Sequence, residues 1–203
     1  MAVVYIGLGA NLPSAAGPPE ATLAAAAARM EGLGRVTARS RLYSTAPVGF
    51  ADQPRFLNAV VALETALAPR ELLDALLDIE REFGRDRTKG IANGPRTLDL
   101  DILLYGELTV SEPGLEIPHP RLAERAFVLV PLNEIAAEAR DPRSGASVQK
   151  LMKSLFDGCA QASTTPSDAV AQVESGVWSA GACDCVADTD GARADCHSDA
   201  HRY

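Results

Sequence analysis

Residues 94–104 read GPRTLDLDILL, a pattern that predicts a turn leading into a buried β-strand. Side chains along a strand alternate between its two faces, so Asp99 and Asp101 share one face. The other face carries the apolar residues Leu98, Leu100, Ile102 and Leu104. At a rise of about 3.3 Å per residue, the two carboxylates lie roughly 6–7 Å apart. An edge strand with a solvated outer face is one interpretation of this stretch, and a cation site is the other.

The residue types favour the cation site. Two carboxylates at this separation disfavour each other's ionisation unless a cation holds both of them charged. Mg2+ prefers one or two carboxylates together with the oxygen atoms of substrate phosphates. Arg96 directly precedes the strand, and its guanidinium is suited to binding two phosphate oxygens. We therefore expect Asp99 and Asp101 to be metal ligands beside a phosphate-binding arginine.

The segment before the strand, residues 84–96, is rich in glycine and in basic residues. Its basic residues are Arg85, Arg87, Lys89 and Arg96. Glycine lets the backbone of such a loop approach a ligand closely. Cations beside a metal site are what a triphosphate needs, because they neutralise its charge and help to hold the reacting phosphorus in line. A loop of solvated charges is the alternative for this segment.

A small-molecule pocket is predicted around residues 45–49, TAPVG, together with Phe56 and Asn58. Loop backbone groups and the asparagine amide can pair with a flat heterocycle, and the phenylalanine ring can stack on it. A turn followed by a strand explains the same residues equally well. Further along the chain, Phe127 fits either a pocket wall or the core.

Two further residues have a role that the pattern leaves open. Glu80 borders the apolar stripe of a predicted helix, so it either extends to water or serves a site. His119 lies between two prolines and close in sequence to Arg121 and Arg125. For this histidine, a contact with phosphate competes with a structural role.

The order of predicted elements favours an α+β fold. Strands are predicted at residues 3–8, 36–43, 57–65 and 98–105, helices at 18–30, 68–83 and 127–137, and mostly extended chain at 110–117. The order strand, helix, strand, strand, helix, strand is typical of a ferredoxin-like sandwich. We therefore expect an antiparallel sheet with helices packed on its faces.

Composition limits the classes of partner. The chain has 203 residues, 47% of them hydrophobic, and a net charge of −8, which argues against a nucleic-acid partner. No apolar run is long enough to span a membrane, and the first residues do not resemble a signal peptide. The first 157 residues contain no cysteine, which fits a cytoplasmic protein.

A change in composition predicts two regions, a domain at residues 1–157 and a tail at 158–203. The tail has seven acidic and two basic side chains and few large apolar residues. Such a segment cannot bury enough apolar surface to fold alone, so we expect it to be disordered or weakly ordered. The cysteines of the tail are not expected to form a metal site, because Cys183 and Cys185 are too close together for the usual ligand spacing.

Taken together, these motifs resemble the 6-hydroxymethyl-7,8-dihydropterin pyrophosphokinases of folate biosynthesis, over about residues 2–157. The segments that carry the resemblance are 5–12 (YIGLGANL), 43–49 (YSTAPVG), 52–59 (DQPRFLNA), 94–104 (GPRTLDLDILL) and 117–121 (IPHPR). The resemblance implies transfer of a diphosphoryl group from ATP to the hydroxymethyl oxygen of the pterin, with release of AMP. It also implies a monomer whose loop at 84–96 closes over both substrates.

The resemblance also implies a role for individual residues. Asp99 and Asp101 match aspartates that hold two Mg2+ ions on the triphosphate. Arg85, Arg87 and Arg96 match, or lie near, the arginines that bind the phosphates. Positions around the nucleotide are matched by Glu80, Arg96, Ile102, His119 and Arg125. The pterin pocket, in which two aromatic rings sandwich the pterin, is matched by Thr45, Pro47, Val48, Phe56, Asn58 and Phe127.

One departure and two alternatives accompany this interpretation. Many members of the family carry Arg-Trp directly before Gly-Pro-Arg, where this chain has Ala92 and Asn93. The first alternative is another Mg2+-dependent phosphotransferase on the same fold. The second is a non-catalytic nucleotide- or RNA-binding module, a role that ferredoxin-like sheets also perform.

Overall fold

A computed structural model describes residues 1–47, 52–87, 94–161, 170–178 and 181–182. Its strands are β1 (Ala2–Ala10), β2 (Arg35–Arg39), β3 (Leu42–Thr45), β4 (Phe56–Thr65), β5 (Asp99–Tyr105), β6 (Val110–Glu112), β7 (Leu115–Ile117), β8 (Val170–Val173) and β9 (Gly181–Ala182). Its helices are α1 (Pro19–Met30), α2 (Pro69–Glu82), α3 (Ala126–Ala136) and α4 (Val148–Gln161), with one 3-10 turn at Leu122–Glu124. None of the described helices is both long and apolar enough to cross a membrane.

One antiparallel sheet organises these elements. Its strand order is β5-β1-β4-β2-β9, and β3 pairs with β4 on one side and with β8 on the other. Strand β1 lies between β4 and β5. β6 and β7 form a separate hairpin. The fold is therefore a mixed α/β arrangement with an antiparallel sheet, as the predicted order of elements indicated.

Helices cover both faces of this sheet, because most strand residues are apolar on both sides. α1 and α2 place Leu23, Met30, Leu72 and Leu76 against one face. α3 and α4 pack on the other face, where the second apolar cluster includes Val60, Leu103, Leu104, Leu122, Val128, Leu129, Leu132 and Val148. Both α1 and α2 begin with a proline in the first turn, where its missing N–H costs no helical hydrogen bond.

Strand β5 contains a bulge that the alternation did not predict. Tyr5 pairs with Leu104 whereas Ile6 pairs with Ile102, so Leu103 is the extra residue. An extra residue shifts the side chains after it to the opposite face. Leu104 accordingly packs in the cluster under α3 and α4, and the prediction that it shares a face with Leu100 is wrong.

The predicted strand 36–43 is divided at Ser40, and the cause is a serine side chain. Ser40 Oγ accepts a hydrogen bond from the Val60 amide at 2.9 Å and donates one to the Arg41 carbonyl at 2.8 Å. The Ser40 amide still donates to the Val60 carbonyl at 2.9 Å. The hydroxyl thus takes the acceptor position that the Ser40 carbonyl would hold in a continuous ladder, and the strand breaks there.

Two other parts of the chain differ from expectation. The helix α4 was not predicted, and it continues across the proposed domain boundary at residue 158. Part of the tail, residues 170–173, forms β8 and pairs with β3. The boundary itself stays a prediction, and Cys183 and Cys185 lie outside the described residues.

Gly34 provides a test of the packing between β2 and β4. A Cβ atom at this position would lie well inside van der Waals contact with the Glu64 carbonyl oxygen. We expect Gly34→Ala to lower the free energy of unfolding by about 1–3 kcal/mol, because the backbone must move to accept the methyl group. Urea denaturation measures this change.

Gly32→Ala is the matched control for that variant. Its added Cβ would lie at an ordinary contact distance, 3.4 Å, from the Arg29 carbonyl oxygen. Its stability should therefore stay close to that of the unaltered chain. Equal stability of the two variants would contradict the close approach at Gly34.

Candidate active site

Strand β5 places Asp99 and Asp101 on the sheet face that is covered by α3. Both line one pocket, as the alternation along the strand predicted. The residues opposite them on β1 are Gly9, which pairs with Asp99, and Gly7, which pairs with Asp101. The other residues lining the pocket are Leu8, Thr45, Ala46, Phe56, Asn58, Ala59, Val60, Arg96, Leu103, Arg121, Glu124, Arg125, Phe127 and Val128.

Asn11 connects the three chain segments that meet at this pocket. Its Oδ1 accepts a hydrogen bond from the Arg96 amide at 2.8 Å, and its own amide donates to the Arg96 carbonyl at 3.0 Å. Its Nδ2 donates to Gln53 Oε1 and to the Pro54 carbonyl, both at 3.0 Å. Asn11 therefore fixes the entry to β5 and the entry to β4 against the end of β1.

Three arginines surround the Asp99 carboxylate. Arg96 Nη1 donates to Asp99 Oδ2 at 2.6 Å, and Arg85 and Arg87 place Nη2 atoms at 3.7 and 3.9 Å from Oδ1. Arg85 Nε is buried and has no hydrogen-bond partner among the residues that the structure describes. A buried donor without a partner is costly, so this position is suited to an additional acceptor.

Glu80 is buried and does not extend to water. Its side chain is 1% exposed, and it accepts hydrogen bonds from Arg87 Nε at 2.8 Å and Arg87 Nη2 at 2.7 Å. The Leu100 amide donates to the same carboxylate at 2.8 Å. Glu80 therefore links α2, the first residues of the basic segment and β5. Of the two roles that the sequence left open, the structure supports the role in building the site.

Asp101 is less easily ionised than an exposed aspartate. Burial, together with the nearby Asp99 carboxylate, raises its pKa to about 6. The positive charge of Arg125 acts in the opposite direction. Additional positive charge beside Asp101 would therefore favour its ionised form.

Two aromatic rings also line the pocket. The Arg96 guanidinium lies over Phe56 at 5.3 Å from the ring centroid, and the Arg125 guanidinium lies over Phe127 at 5.4 Å. Within the same lining, Asn58 Nδ2 donates to Thr45 Oγ1 at 2.8 Å. Phe127 contributes to the pocket and also packs against the second apolar cluster, so both readings of its sequence position hold.

His119 is neutral at neutral pH. Burial, together with the positive charges of Arg125 and Arg121, lowers its pKa to about 4. Its Nδ1 accepts a hydrogen bond from the Arg121 amide at 3.1 Å, which leaves the proton on Nε2. His119 is therefore a neutral N–H donor rather than a positive charge, and it does not itself line the pocket.

Some residues that the sequence indicated do not line the pocket. Ile102 lies in the apolar cluster on the opposite face of the sheet, so its side chain does not face the pocket. Pro47 follows the lining residue Ala46 but is not part of the lining. Val48, together with Lys89, Ala92 and Asn93, lies outside the described residues.

The structure also adds residues that were not singled out as site residues. They include Gly7, Gly9, Asn11, Leu103 and Glu124. Asn11 and the two glycines stand in the segment 5–12 that carried the family resemblance, which was the available signal. Leu103 reaches the pocket face through the bulge, and no local pattern indicates this.

Comparison with known proteins identifies the family of this chain. Residues 5–137 match the family model described as 7,8-dihydro-6-hydroxymethylpterin-pyrophosphokinase (HPPK). A 2-amino-4-hydroxy-6-hydroxymethyldihydropteridine pyrophosphokinase of Pseudomonas aeruginosa is 46% identical over 157 residues, covering 76% of this chain and 93% of the relative. The protein of the same name in Bacillus subtilis is 41% identical over 150 residues, covering 73% and 86%.

Longer proteins also contain similar regions. A mitochondrial folate synthesis bifunctional protein of Arabidopsis thaliana is 56% identical over 106 residues, which cover 52% of this chain and 19% of the relative. The crystal structure of wild-type HPPK-DHPS of Plasmodium falciparum has a similar fold, with a TM-score of 0.64 at 15% identity, covering 81% of this chain and 46% of that one. On the family match and the two bacterial relatives, this chain belongs to the HPPK family.

Proposed function

We propose that this chain transfers a diphosphoryl group from ATP to 6-hydroxymethyl-7,8-dihydropterin in a Mg2+-dependent reaction of folate synthesis. The hydroxymethyl oxygen forms a bond to the β-phosphorus, and the bond from that phosphorus to the α–β bridging oxygen breaks. AMP leaves with the bridging oxygen, and the proton of the alcohol passes to water. The observation that carries the proposal is that two carboxylates and two aromatic rings line the same pocket.

The donor set fits magnesium ions, and we propose that Asp99 and Asp101 hold two of them. The described residues contain no group of three or more ligating His, Cys, Asp or Glu side chains, so the carboxylates stand as a pair. A pair of carboxylates is the protein contribution expected where substrate phosphates and water supply the remaining oxygens. When bound, Mg2+ would neutralise the charge of the triphosphate and favour displacement at phosphorus.

The arginines around Asp99 are placed to contact the phosphates. Arg96 and Arg85 both lie close to that carboxylate, and Arg85 Nε has no hydrogen-bond partner within the described part of the chain. Arg121 and Arg125 also line the pocket and contribute positive charge. Such charges would align the triphosphate, which needs little covalent chemistry from the protein. We add His119 and Ile102 to the positions around the nucleotide on the family resemblance alone, although the Ile102 side chain lies on the other face of the sheet.

The aromatic side of the pocket is suited to the pterin. A flat ring can lie between Phe56 and Phe127 once the two guanidiniums that lie on them move aside. Thr45 and Asn58 offer hydrogen-bonding groups at the edge of such a ring. We include Pro47 and Val48 in this pocket on the family resemblance.

Other features stay predictions. These are the ferredoxin-like description of the sheet, the domain boundary at 158, the monomeric state and the cytoplasmic location. One relative is named as a mitochondrial protein, so the relatives themselves differ in location. An ordinary kinase on the same fold is distinguished by its product, because it would release ADP.

The two aspartates provide the first test of the proposed function. We expect the unaltered chain to form AMP from ATP, Mg2+ and hydroxymethyldihydropterin. Asp99→Asn and Asp101→Asn should each lower the rate of AMP formation at least about 100-fold, because charge stabilisation at the phosphates is lost. Circular dichroism should show that both variants keep the fold.

Asp74→Asn is the matched control, because Asp74 is exposed on α2. It should keep the rate of the unaltered chain. Formation of ADP by the unaltered chain would contradict the proposed reaction. Undiminished AMP formation by either aspartate variant would contradict the proposed metal ligands.

The two rings provide the second test. Phe56→Ala and Phe127→Ala should each raise the KM for the pterin by about 2- to 13-fold, which corresponds to the 0.5–1.5 kcal/mol typical of an aromatic pair. The KM for ATP should change much less. Phe156→Ala on α4, where the ring is partly exposed, is the control. Equal effects on the two KM values would contradict a pterin between these rings.

Glu80 provides a test of how the site is held together. Glu80→Gln should lower the free energy of unfolding by about 1–3 kcal/mol, because a buried charge-assisted pair with Arg87 is lost while Arg87 stays half-exposed. Glu82→Gln, two residues later in an exposed pair with Arg29, should cost less than about 0.5 kcal/mol. Equal losses of unfolding free energy for the two variants in urea denaturation would show that Glu80 does not stabilise the site through its buried contacts.

A further inference from the structure

The tail returns to the sheet at the break between β2 and β3. Trp178 is the only tryptophan of the chain and is 6% exposed. Its Nε1 donates a hydrogen bond of 2.7 Å to the Ser40 carbonyl. This carbonyl is available because Ser40 Oγ, and not the carbonyl, accepts the hydrogen bond from the Val60 amide of β4. The Arg39 guanidinium lies 5.8 Å from the centre of the indole ring. The tail therefore supplies the partner of a buried carbonyl 138 residues earlier in the chain.

The turn that presents this tryptophan is shaped by the tail itself. Ser175 Oγ accepts hydrogen bonds from the amides of Val177 and Trp178, both at 3.2 Å. Such a serine turn fixes the direction in which the following side chain leaves the backbone. The indole is thus presented to Ser40 by a defined local structure.

The residues before this turn cover the whole of β3. β8 pairs with β3 from Leu42, opposite Val173, to Thr45, opposite Val170. Without β8, this four-residue strand would be an edge strand paired only with β4. A short edge strand has few hydrogen bonds to hold it and is prone to local opening.

The far end of β3 belongs to the pocket. Thr45 is buried, lines the pocket and accepts a hydrogen bond from Asn58. The hydrogen bonds from Arg41 and Tyr43 to Glu134 of α3 hold the first half of the strand. At Thr45 the neighbours in the sheet are Phe56 of β4 and Val170 of β8.

We propose that residues 170–178 form a strap, and that Trp178 is a positioning residue that holds β3 and thereby the pterin side of the pocket. The strap lies beyond residues 5–137, the part that the family model matches. The expected effect of the strap on pterin binding rests on the proposed function. Its expected effect on the local stability of β3 does not. Trp178 acts through Ser40 and the β8–β3 pairing and does not contact the substrate.

The test compares Trp178→Phe and Trp178→Ala with Val177→Ala in the full chain. The phenylalanine keeps a ring but loses the donor to Ser40, and alanine loses both. Val177 is 57% exposed, so its variant is the matched control. Hydrogen exchange of the peptide covering residues 42–47 reports on β3, and the KM values for pterin and ATP report on the two sides of the pocket.

We expect Trp178→Ala to accelerate exchange in that peptide about tenfold and to raise the KM for the pterin about tenfold, equivalent to about 1.4 kcal/mol. The KM for ATP should stay within about twofold, and exchange in β1 should not change. Trp178→Phe should give an intermediate effect, and Val177→Ala none. The phenylalanine variant keeps the test informative if the alanine variant does not fold.

Three results would overturn the proposal. The first is exchange and KM values unchanged from the control. The second is faster exchange in β3 with an unchanged KM for the pterin. The third is faster exchange throughout the sheet with both KM values raised, which would show a general loss of stability. Failure of the unaltered chain to form AMP would instead overturn the proposed function, and exchange in β3 would still decide whether the strap holds the strand.

Discussion

The register between β1 and β5 is the constraint on which the site depends. It places Asp99 opposite Gly9 and Asp101 opposite Gly7, so the two residues of β1 beside the carboxylates have no side chains. There is little free space beside the two glycines. A Cβ on Gly9 would lie 3.1 Å from Asn58 Oδ1, and one on Gly7 would lie 3.3 Å from the Leu103 side chain. Larger residues at either glycine would compete with the groups that shape the pocket.

The same register brings two chemically different halves of the pocket into one row of the sheet. Asn58 on β4 and Asp99 on β5 both pair with Gly9, so they lie two strand spacings apart, or about 9.6 Å. A flat ring held near Asn58 and phosphates held near Asp99 would therefore be neighbours. The rigid sheet sets this spacing, while Glu80 and Asn11 fix the segments that bring the arginines to it.

Much of this site could be predicted because it depends on local patterns. Alternation along β5 places the two carboxylates together, and proline and the apolar stripe define α2. The bulge at Leu103, the strand break at Ser40 and the strap could not be predicted in the same way. Each depends on a partner distant in sequence, such as Trp178 for Ser40, and local periodicity contains no information about that partner.

The most direct measurement is the position of a bound metal, with Mn2+ replacing Mg2+ and α,β-methylene ATP replacing ATP. Paramagnetic broadening of amide resonances in NMR spectra falls steeply with distance from Mn2+. If Asp99 and Asp101 bind the metal, we expect the strongest broadening at the amides of Gly7, Gly9, Asp99 and Asp101. Broadening centred on another acidic part of the surface, with these four resonances unaffected, would contradict it.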